Sequence, residues 1–561
     1  MPRFVTHLAP LLLTWAVAVS STARAQETPT QRAAAVDVVR RQGELQQRIN
    51  AFALAARLAG APNARRDAVV ARAKALWDGE LQAMADDITR NPEVGFKETR
   101  SVKILTDWLT AHGFAVQINV AGLSTAFIAR YTKGTPGPTL GIIVEYDALR
   151  GTTRDYHGDQ HSAQGPVGLA AAVAVAEFLT SSKTPGTVTV YGTPAEEMMP
   201  PPSKTVMHQA GVFNGADVIV RSHSSVNTQR PAPGFGTCCL NIDGVRYTFS
   251  GAPAHQMTAW EGRDALTAVI HLFQNVDALR KNMRPETRIQ GIIPEGGKAP
   301  NVVPDRAVAD FYIRYPDEVY LAQVREMIDN AARGAALATG TKVAIDNYGS
   351  MRDGISTAAL NEVAFAYLKK YGATRVVAEP QKPQGYEETG SVSRDIPGAG
   401  FSAFTSTGGF HTYEMEADAL NEVGHTGFRI DAMAMAALLT DFATDANFRA
   451  RVKDEFSTTK ALFGDDELTP LKGLLVLLPP QPDVHYSTSG GWNIPPTQRG
   501  LFVHMMPRTD GIVLGGTSER DVWSTEVNET EVQRIVDNHV TLFAAMRVPG
   551  PAAPSTTSTR R

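Results

Sequence analysis

The stretch "TLGIIVEYD" (residues 139–147) decides the fold class, because a short apolar run of strand length ends directly in acidic residues. A helical pattern follows at "GLAAAVAVAEFL" (168–179), and two further apolar strand patterns are "TVTVYGTP" (187–194) and "ADVIVRSH" (216–223). Strands that alternate with helices predict an α/β sheet whose faces are covered by helices.

The pattern changes between residues 236 and 350. A strand-helix-strand-strand-helix-strand order predicts a small α+β insert of the split-βαβ type there. We therefore predict a main α/β domain in two parts, 30–235 and 357–445, with this insert between them. A strand-rich module at 467–546 and a disordered tail at 547–561 follow. Several domains agree with the length of 561 residues, since single cores stop growing near about 250–300 residues.

The composition excludes some classes of partner. The chain is 43% hydrophobic and 20% charged with a formal net charge of −4, which gives no reason to expect nucleic acid or an anionic membrane as a partner. Residues 1–25 combine Arg3 and His7 with an apolar stretch and a small-residue end. That stretch is shorter than the ~20 residues of a spanning helix. It predicts a signal peptide, and hence an exported protein, periplasmic or secreted.

Cysteine usage limits the kind of metal site. Cys238 and Cys239 are the two cysteines of the chain and are adjacent, so they cannot close a long loop in the usual way. A zinc site built on paired thiolates is also excluded, and any metal would need histidine and carboxylate ligands.

Ionisable side chains follow the apolar strand patterns, where ligands usually bind in open α/β sheets. Two divalent ions need about five or six histidine and carboxylate ligands, and a bridging carboxylate suits them. Glu196 could take a proton from the attacking water and pass it to a leaving amine. Taken alone, each histidine is more often a solvated loop residue than a ligand, and acidic residues are common at helix starts. The predicted ligands are Asp159, His161, Glu197, His223 and His411.

Six segments follow one another in the chain, namely "NPEVGFKETRSVKILTDWLTAHGF", "EYDALRG", "GTPAEE", "GAPAHQMTAWEGRDALTAV", "IPEGGKAPNVVPD" and "FHTYEMEADALNEVGHTGF". In this order they resemble metallopeptidase family 20, in the branch of p-aminobenzoyl-glutamate hydrolase subunits and indoleacetyl-amino-acid hydrolases. The resemblance covers roughly residues 70–445.

The resemblance implies a zinc-exopeptidase-like catalytic domain with a mixed sheet and an inserted dimerisation or lid domain. It also implies two divalent metal ions, zinc or manganese, with cobalt possible. By position, Glu196 matches the general base, while Glu197, His223 and His411 match ligands. His255 matches a histidine that steadies the oxyanion in the partner subunit's site. Substrate contacts are implied, less specifically, for Arg263 and Asn301.

The chain departs from the branch at "YHGDQHS" (156–162). A usual His-Ala-Cys-Gly-His segment reads His157 to His161 here, with Asp159 in the place of the cysteine. A carboxylate is a harder ligand, which favours manganese or mixed occupancy, although zinc accepts carboxylates too. Extra residues in "SAQGPVG" leave a second alignment open, in which Gly165 stands opposite a ligand and the site is damaged.

Residues 467–546 have a second resemblance, to a segment of D-amino-acid-oxidase-type flavoproteins. That class binds FAD through a Gly-rich βαβ unit, and the chain has no G-x-G-x-x-G that opens a helix. We therefore expect no redox activity from this segment, which is then a fusion relic or an interaction module.

The expected function is that of an exported metal-dependent amidohydrolase or metallopeptidase. It would cleave an amide bond in N-acyl or N-aminoacyl amino acids or dipeptides, as a homodimer formed through residues 236–350. Carboxypeptidase and aminoacylase specificities remain open. The alternatives are an inactive binding protein on the same scaffold and, less favoured, an FAD-dependent oxidoreductase.

Overall fold

The computed structural model describes residues 40–41, 43–45, 47–198, 203–230, 240–316, 318–379, 389–463, 475–478, 504–508 and 511–515. The predicted signal peptide (1–25), Cys238, Cys239 and the tail (547–561) lie outside the described residues, as does most of 467–546. The chain divides into two compact units, Met1–Phe463 and Gly464–Arg561, and each is described by itself.

Helices precede the main sheet. They are α1 (Ala51–Gly60), α2 (Ala64–Leu76), α3 (Gln82–Arg90) and α4 (Thr99–Ala111), with a π-helical turn at Trp77–Leu81. The side chain of Asn63 accepts a hydrogen bond from the backbone of Arg66 and so starts α2. Three later helices are capped in the same way, by the side chains of Asp264, Thr412 and Asn421.

The main sheet has six strands and is mixed. The strands are β1 (Ala115–Val120), β2 (Leu123–Lys133), β3 (Thr139–Val144), β4 (Gly186–Gly192), β5 (Val218–Ser222) and β12 (Gly398–Phe401). Their order is β1-β2-β4-β3-β5-β12. The first two pairs are antiparallel and the other three are parallel. The carboxyl ends of β3, β4, β5 and β12 therefore meet at one edge of the sheet.

Long helices pack around this sheet and its core. They include α5 (His161–Ser181), α9 (Ala358–Lys370), α12 (Glu422–Thr444) and α13 (Ala446–Phe463). Among the described residues α5 has the length and hydropathy of a membrane-spanning helix, but its apolar window is 89% buried inside the protein. Its apolar side chains belong to the core shared with β3 and α12, as in the central helix of an α/β fold.

The insert forms its own sheet and core within the first unit. In chain order it comprises β7 (Asn241–Ser250), α7 (Ala265–Arg280), β8 (Arg288–Glu295), β9 (Arg306–Tyr315), α8 (Glu318–Thr339) and β10 (Lys342–Met351). The sheet order is β10-β7-β9-β8, all antiparallel. This order of elements is the one that the sequence pattern predicts, and it leaves β8 as an edge strand.

Smaller elements complete the described residues. The first unit also contains α6 (Ser203–Gln209), β6 (Thr228–Gln229), β11 (Val376–Val377), α10 (Thr389–Ser393) and α11 (Tyr413–Ala419). In the second unit β13 (Leu475–Leu478), β14 (His504–Arg508) and β15 (Gly511–Gly515) form an antiparallel sheet with β15 in the middle.

A buried ion pair connects the N-terminal helices to α9 and α12. The guanidinium of Arg66 donates to the carbonyl oxygens of Leu58 and Ala61 at 2.7 and 2.8 Å. It also donates to the hydroxyl of Tyr367 on α9 at 2.8 Å, and it lies 3.2 Å from the carboxylate of Asp441 on α12. Because these groups satisfy one another away from water, removal of one partner would leave a buried charge.

Candidate metal centre

Four loops bring ionisable side chains to the carboxyl edge of the main sheet. Glu145 and Asp147 follow β3, and the loop after them ends at the start of α5 with Asp159 and His161. β4, β5 and β12 lead to the remaining members of the group, which are Glu196, Glu197, His223 and His411.

One carboxylate oxygen lies at the centre of this group. Oδ2 of Asp159 is 3.9 Å from Nε2 of His161, 3.6 Å from Nε2 of His223 and 3.7 Å from Nε2 of His411. Nε2 of His411 is also 3.6 Å from Oε2 of Glu197. Asp159 is therefore common to two sets of ligand atoms, one with His161 and His223 and the other with Glu197 and His411.

These separations fit divalent metal ions. Metal–ligand bonds of about 2.1 Å in a tetrahedral site place neighbouring ligand atoms about 3.4 Å apart. Asp159, Glu197 and His411 offer ligand atoms that all lie within 4.8 Å of one another. Nε2 of His161 and Oε1 of Glu197 are buried and have no hydrogen-bond partner among the described residues. Buried polar atoms without partners are costly, and a cation between them removes that cost.

Asp147 orients two members of the group. Its Oδ1 lies 3.0 Å from Nδ1 of His161, and its Oδ2 accepts a hydrogen bond from the backbone of Glu197 at 2.9 Å. A hydrogen bond at Nδ1 directs the lone pair of Nε2 into the site, as in many metal-bound histidines. Asp147 thus acts from outside the ligand set.

Three loops that carry the candidate ligands have non-glycine residues in the left-handed region of the backbone. These residues are Gln160 (φ 56°), Ala195 (φ 58°) and His411 (φ 60°). The backbone N–H of Ala195 donates to the carboxylate of Glu98 at 2.8 Å, and that of His411 donates to the carbonyl of Gly158 at 2.8 Å. Such conformations persist where surrounding contacts enforce them, and they cluster at functional sites.

The carboxylates differ in their proton affinity. Burial, together with the charge of Glu145, raises the pKa of Glu196 to about 7. Burial and the neighbouring Glu196 raise the pKa of Glu197 well above its ordinary value. Burial acts in the same direction on Asp159, but His223 and the other imidazoles outweigh it and lower the pKa of Asp159. Glu196 is therefore able to exchange a proton near neutral pH.

Two sequence details are settled by position. Gly165 lies inside α5, where an added Cβ would meet the side chain of Leu105 at 2.9 Å, so Asp159 and not Gly165 is the member of the group. His157 is buried beside the group but contributes no atom to its ligand sets. Burial, with the nearby charge of His161, lowers the pKa of His157 to about 4.

The other three predicted site residues lie apart from this group. His255, Arg263 and Asn301 are exposed on the insert. The backbone carbonyl of Asn301 accepts a hydrogen bond from the backbone N–H of Gln256 at 3.0 Å, and Nδ1 of His255 accepts one from the backbone N–H of Met257 at 3.1 Å. Within the described part of the chain, none of the three has a hydrogen bond or ion pair with the metal-ligand group.

Sequence reasoning missed Arg314, an arginine of the insert that reaches toward the group. It lies on β9 on the face opposite to Phe311 and Ile313, which belong to the core of the insert. Burial lowers its pKa, and the charges of Glu196 and Glu197 act on it in the opposite direction. The strand alternation in "DFYIRY" could have indicated its face, but not what that face meets.

Comparisons with known proteins agree with this architecture. Residues 240–339 match the M20 peptidase dimerisation domain. The chain is 31% identical to human Xaa-Arg dipeptidase over 57% of its own length and 75% of that protein. It is 32% identical to a p-aminobenzoyl-glutamate hydrolase component of Escherichia coli, over 46% and 56% of the two chains. A crystal structure of a proposed aminohydrolase from methicillin-resistant Staphylococcus aureus superposes with a TM-score of 0.53 at 18% identity, covering 68% of this chain and all of that one.

Proposed function

The chain belongs to the M20 peptidase family and is a metal-dependent hydrolase of the amidohydrolase and peptidase type; from this premise we propose how its own residues bind and cleave a substrate. The bond cleaved is the amide of an N-acyl or N-aminoacyl amino acid or of a dipeptide. The observation that carries the proposal is the single oxygen of Asp159 that lies within 3.9 Å of three histidine nitrogens, with Glu196 beside them.

We propose that the centre holds two divalent ions that share Asp159. His161 and His223 would hold one ion, and Glu197 and His411 the other. The mixture of imidazole and carboxylate ligands suits zinc or manganese, and cobalt is acceptable to the same ligands. When bound, such ions supply a nucleophilic water at neutral pH and polarise the carbonyl group of the substrate.

Glu196 is the group that moves protons. It is partly buried, and a pKa near 7 allows it to accept a proton from the attacking water and to donate it to the leaving amine. Glu98 accepts the backbone N–H of Ala195 and so fixes the turn that presents Glu196. Because Ala195 is already in a strained conformation, this contact restricts where the carboxylate of Glu196 can lie.

Arg314 is proposed to bind a carboxylate of the substrate. Within the described residues its guanidinium has no hydrogen bond or ion pair, although burial disfavours its charge. An arginine binds a carboxylate through two parallel hydrogen bonds. Xaa-Arg dipeptides and p-aminobenzoyl-glutamate, the compounds for which two relatives are named, both have a free α-carboxylate. We therefore favour substrates with a free C-terminal carboxylate over blocked ones.

We also propose that two chains form a homodimer through residues 236–350. The match of this region to a dimerisation domain supports the proposal. β8 is an edge strand with exposed Ile292 and Ile293, and an uncovered strand edge readily pairs with another. His255, which is exposed and apart from the group in its own chain, would complete the partner's site by stabilising the oxyanion.

The setting proposed for the enzyme is outside the cytoplasm, in the periplasm or secreted, as the sequence of residues 1–25 predicts. The low net charge supports small-molecule substrates without nucleic acid or membrane as a partner. Fractionation of cells that express the full chain, followed by N-terminal sequencing, tests export. A mature protein that retains Met1 in the cytoplasm would contradict it.

Metal analysis and hydrolysis assays test the proposal together. Mass spectrometry of protein purified without chelator is expected to find two ions per chain. Asp159→Ala is expected to lose both ions, because both ligand sets use Asp159, whereas His411→Ala is expected to lose one. Wild-type protein should hydrolyse Xaa-Arg dipeptides and N-acyl glutamates. Two bound ions without hydrolysis of any amide would favour the inactive binding protein, and absence of ions after exposure to zinc and manganese would reject the metal-dependent reading.

A further inference from the structure

We propose that Glu145 is an additional ligand of the ion held by His161 and His223, with its second oxygen engaged by Lys204. This inference rests on the proposed two-ion centre. It adds a sixth residue to the five ligands that the sequence suggests, and it concerns a carboxylate that has no role in proton transfer. Glu145 directly follows β3 and is almost fully buried, with 1% of its side chain exposed.

The two oxygens of Glu145 have different surroundings. Oε1 forms an ion pair with the buried Nζ of Lys204 at 2.6 Å. Oε2 has no hydrogen-bond partner among the described residues. The polar atoms near Oε2 are Nε2 of His161 at 3.6 Å and Nη1 of Arg221 at 3.9 Å, which is beyond hydrogen-bond distance. One oxygen is therefore committed to Lys204, and the other is directed at the site.

The contact between Glu145 and His161 fits a metal ion between them. Nδ1 of His161 is engaged by Asp147, so that the lone pair of Nε2 points toward Oε2 of Glu145. The two atoms lie 3.6 Å apart with no hydrogen bond between them. A proton on Nε2 or a metal ion would give both a partner, and the further ligand atoms of His223 and Asp159 around this position favour the metal ion.

The geometry around this position is that of a complete ligand set. Glu145, His161 and His223 offer ligand atoms that all lie within 4.8 Å of one another. Asp159 adds a fourth atom at 3.6 and 3.9 Å from the two imidazoles. The result is two histidines and two carboxylates, a number that suffices for a tetrahedral ion. Glu197 and His411, with the shared Asp159, remain for the other ion, so the two sites differ in their number of histidines.

Lys204 has a positioning role in this arrangement. By holding Oε1 at 2.6 Å it leaves one oxygen of Glu145 for the metal, and so it favours a single Glu145–metal bond over a chelating one. It also offsets the negative charge that a further carboxylate brings to the buried site. Lys204 lies on α6, which is separate from the strands that lead to the ligands.

The test compares metal binding by wild type, Glu145→Gln and the double variant Glu145→Gln/Lys204→Met. The double variant removes both partners of the buried ion pair, so that neither charge is left alone if the single variant folds poorly. Glu455→Gln is the matched control, because Glu455 is a buried carboxylate on α13 away from the site. Circular dichroism and gel filtration establish that each variant is folded before metal is measured.

Two readouts that do not depend on activity decide the result. Chelator competition gives the affinity for each Zn²⁺ ion, and visible absorption of the Co²⁺-loaded protein reports the ligands of the ion. We expect one of the two ions to bind more than tenfold more weakly in both Glu145 variants. Loss of a residue that only supports a ligand typically lowers metal affinity by about 10–100-fold, and loss of a direct ligand should lower it at least as much. We also expect the Co²⁺ bands to change in position and intensity, with Glu455→Gln unchanged in both.

The contrary outcomes are distinct. Wild-type affinity and an unchanged Co²⁺ spectrum in the Glu145 variants would overturn the inference, with the two-ion centre left intact. Weaker binding with an unchanged spectrum would also overturn it, because Glu145 would then act from outside the ligand set. A wild-type protein that binds no ion at all would instead reject the proposed function.

Discussion

Replacement of Gly95 by alanine is expected to disable the enzyme without touching a ligand. Gly95 is buried, and a Cβ built there would lie 2.6 Å from Cβ of Ala195, 2.8 Å from its Cα and 2.9 Å from Sδ of Met198. Non-bonded carbon atoms rest at about 3.5–4.0 Å, so the two segments must separate by about 1 Å. Ala195 belongs to the backbone of the turn and cannot rotate away as a flexible side chain would.

The displacement reaches Glu196 directly, because Ala195 precedes it and is already held in the left-handed region. A misplacement of about 1 Å at a catalytic group lowers the rate by about 100-fold. Steady-state kinetics on the best Xaa-Arg dipeptide, with metal content measured in parallel, should show this loss in kcat for Gly95→Ala. Gly334→Ala is the matched control, since nothing lies within 4 Å of its added Cβ on α8. A Gly95→Ala protein with wild-type kcat and two ions would refute the reasoning that this turn sets the position of Glu196.

Three further predictions concern binding, stability and pH. Arg314→Met should lower kcat/KM at least tenfold for substrates with a free carboxylate, because it removes a charge-assisted hydrogen bond worth about 1.5–3 kcal/mol. The kcat/KM for amide-blocked substrates should not change. Equal losses on both kinds of substrate would exclude the assigned role. Asp441→Asn should reduce the free energy of unfolding by about 3–5 kcal/mol, because the buried Arg66 loses its carboxylate. Urea denaturation measures this loss. The control is Asp107→Asn, which breaks an exposed ion pair expected to contribute less than about 1 kcal/mol. Burial raises the pKa of Glu455 from 4.5 to about 7, so the folded state retains a proton that the unfolded chain releases. In the metal-free protein Glu455 alone should therefore contribute a loss of about 3 kcal/mol of stability as the pH rises from 4.5 to 7. Glu455→Gln should remove this contribution and make the pH profile of stability shallower, and an unchanged slope in the variant would contradict the assignment.

The order of helices and strands was predictable because it depends on local periodicity. Alternation of apolar strands with helices predicted the main sheet, and the strand-helix order of the insert was readable in the same way. The position of Asp159 and His161 at the carboxyl edge of the sheet was also predictable, since both follow a strand that ends at that edge. These inferences need only the position of a residue relative to its own element.

The relations between distant elements were not predictable. That one oxygen of Asp159 serves both ligand sets depends on how the loops after β5 and β12 meet it. The ion pair between Glu145 and Lys204 joins a strand end to α6. The sequence around a charged residue does not indicate which residue will pair with it once it is buried. Arg314 belongs to the insert, and its relation to Glu196 depends on packing between two sheets. The composition of a single segment contains no information on such contacts.

The left-handed residues at the ends of the ligand loops have a consequence for protein engineering. Each such conformation costs about 1–3 kcal/mol, and it persists only because the surrounding contacts offset that cost. A scaffold that received only the metal-binding side chains would let Gln160, Ala195 and His411 relax, and their neighbours would drift from the metal positions. A transplant of this centre would have to include the supporting atoms as well, namely the carboxylate of Glu98 and the carbonyl of Gly158. The metal-binding loops and the groups that hydrogen-bond to them must therefore be transferred together. A graft without these supporting groups is expected to have a lower metal affinity.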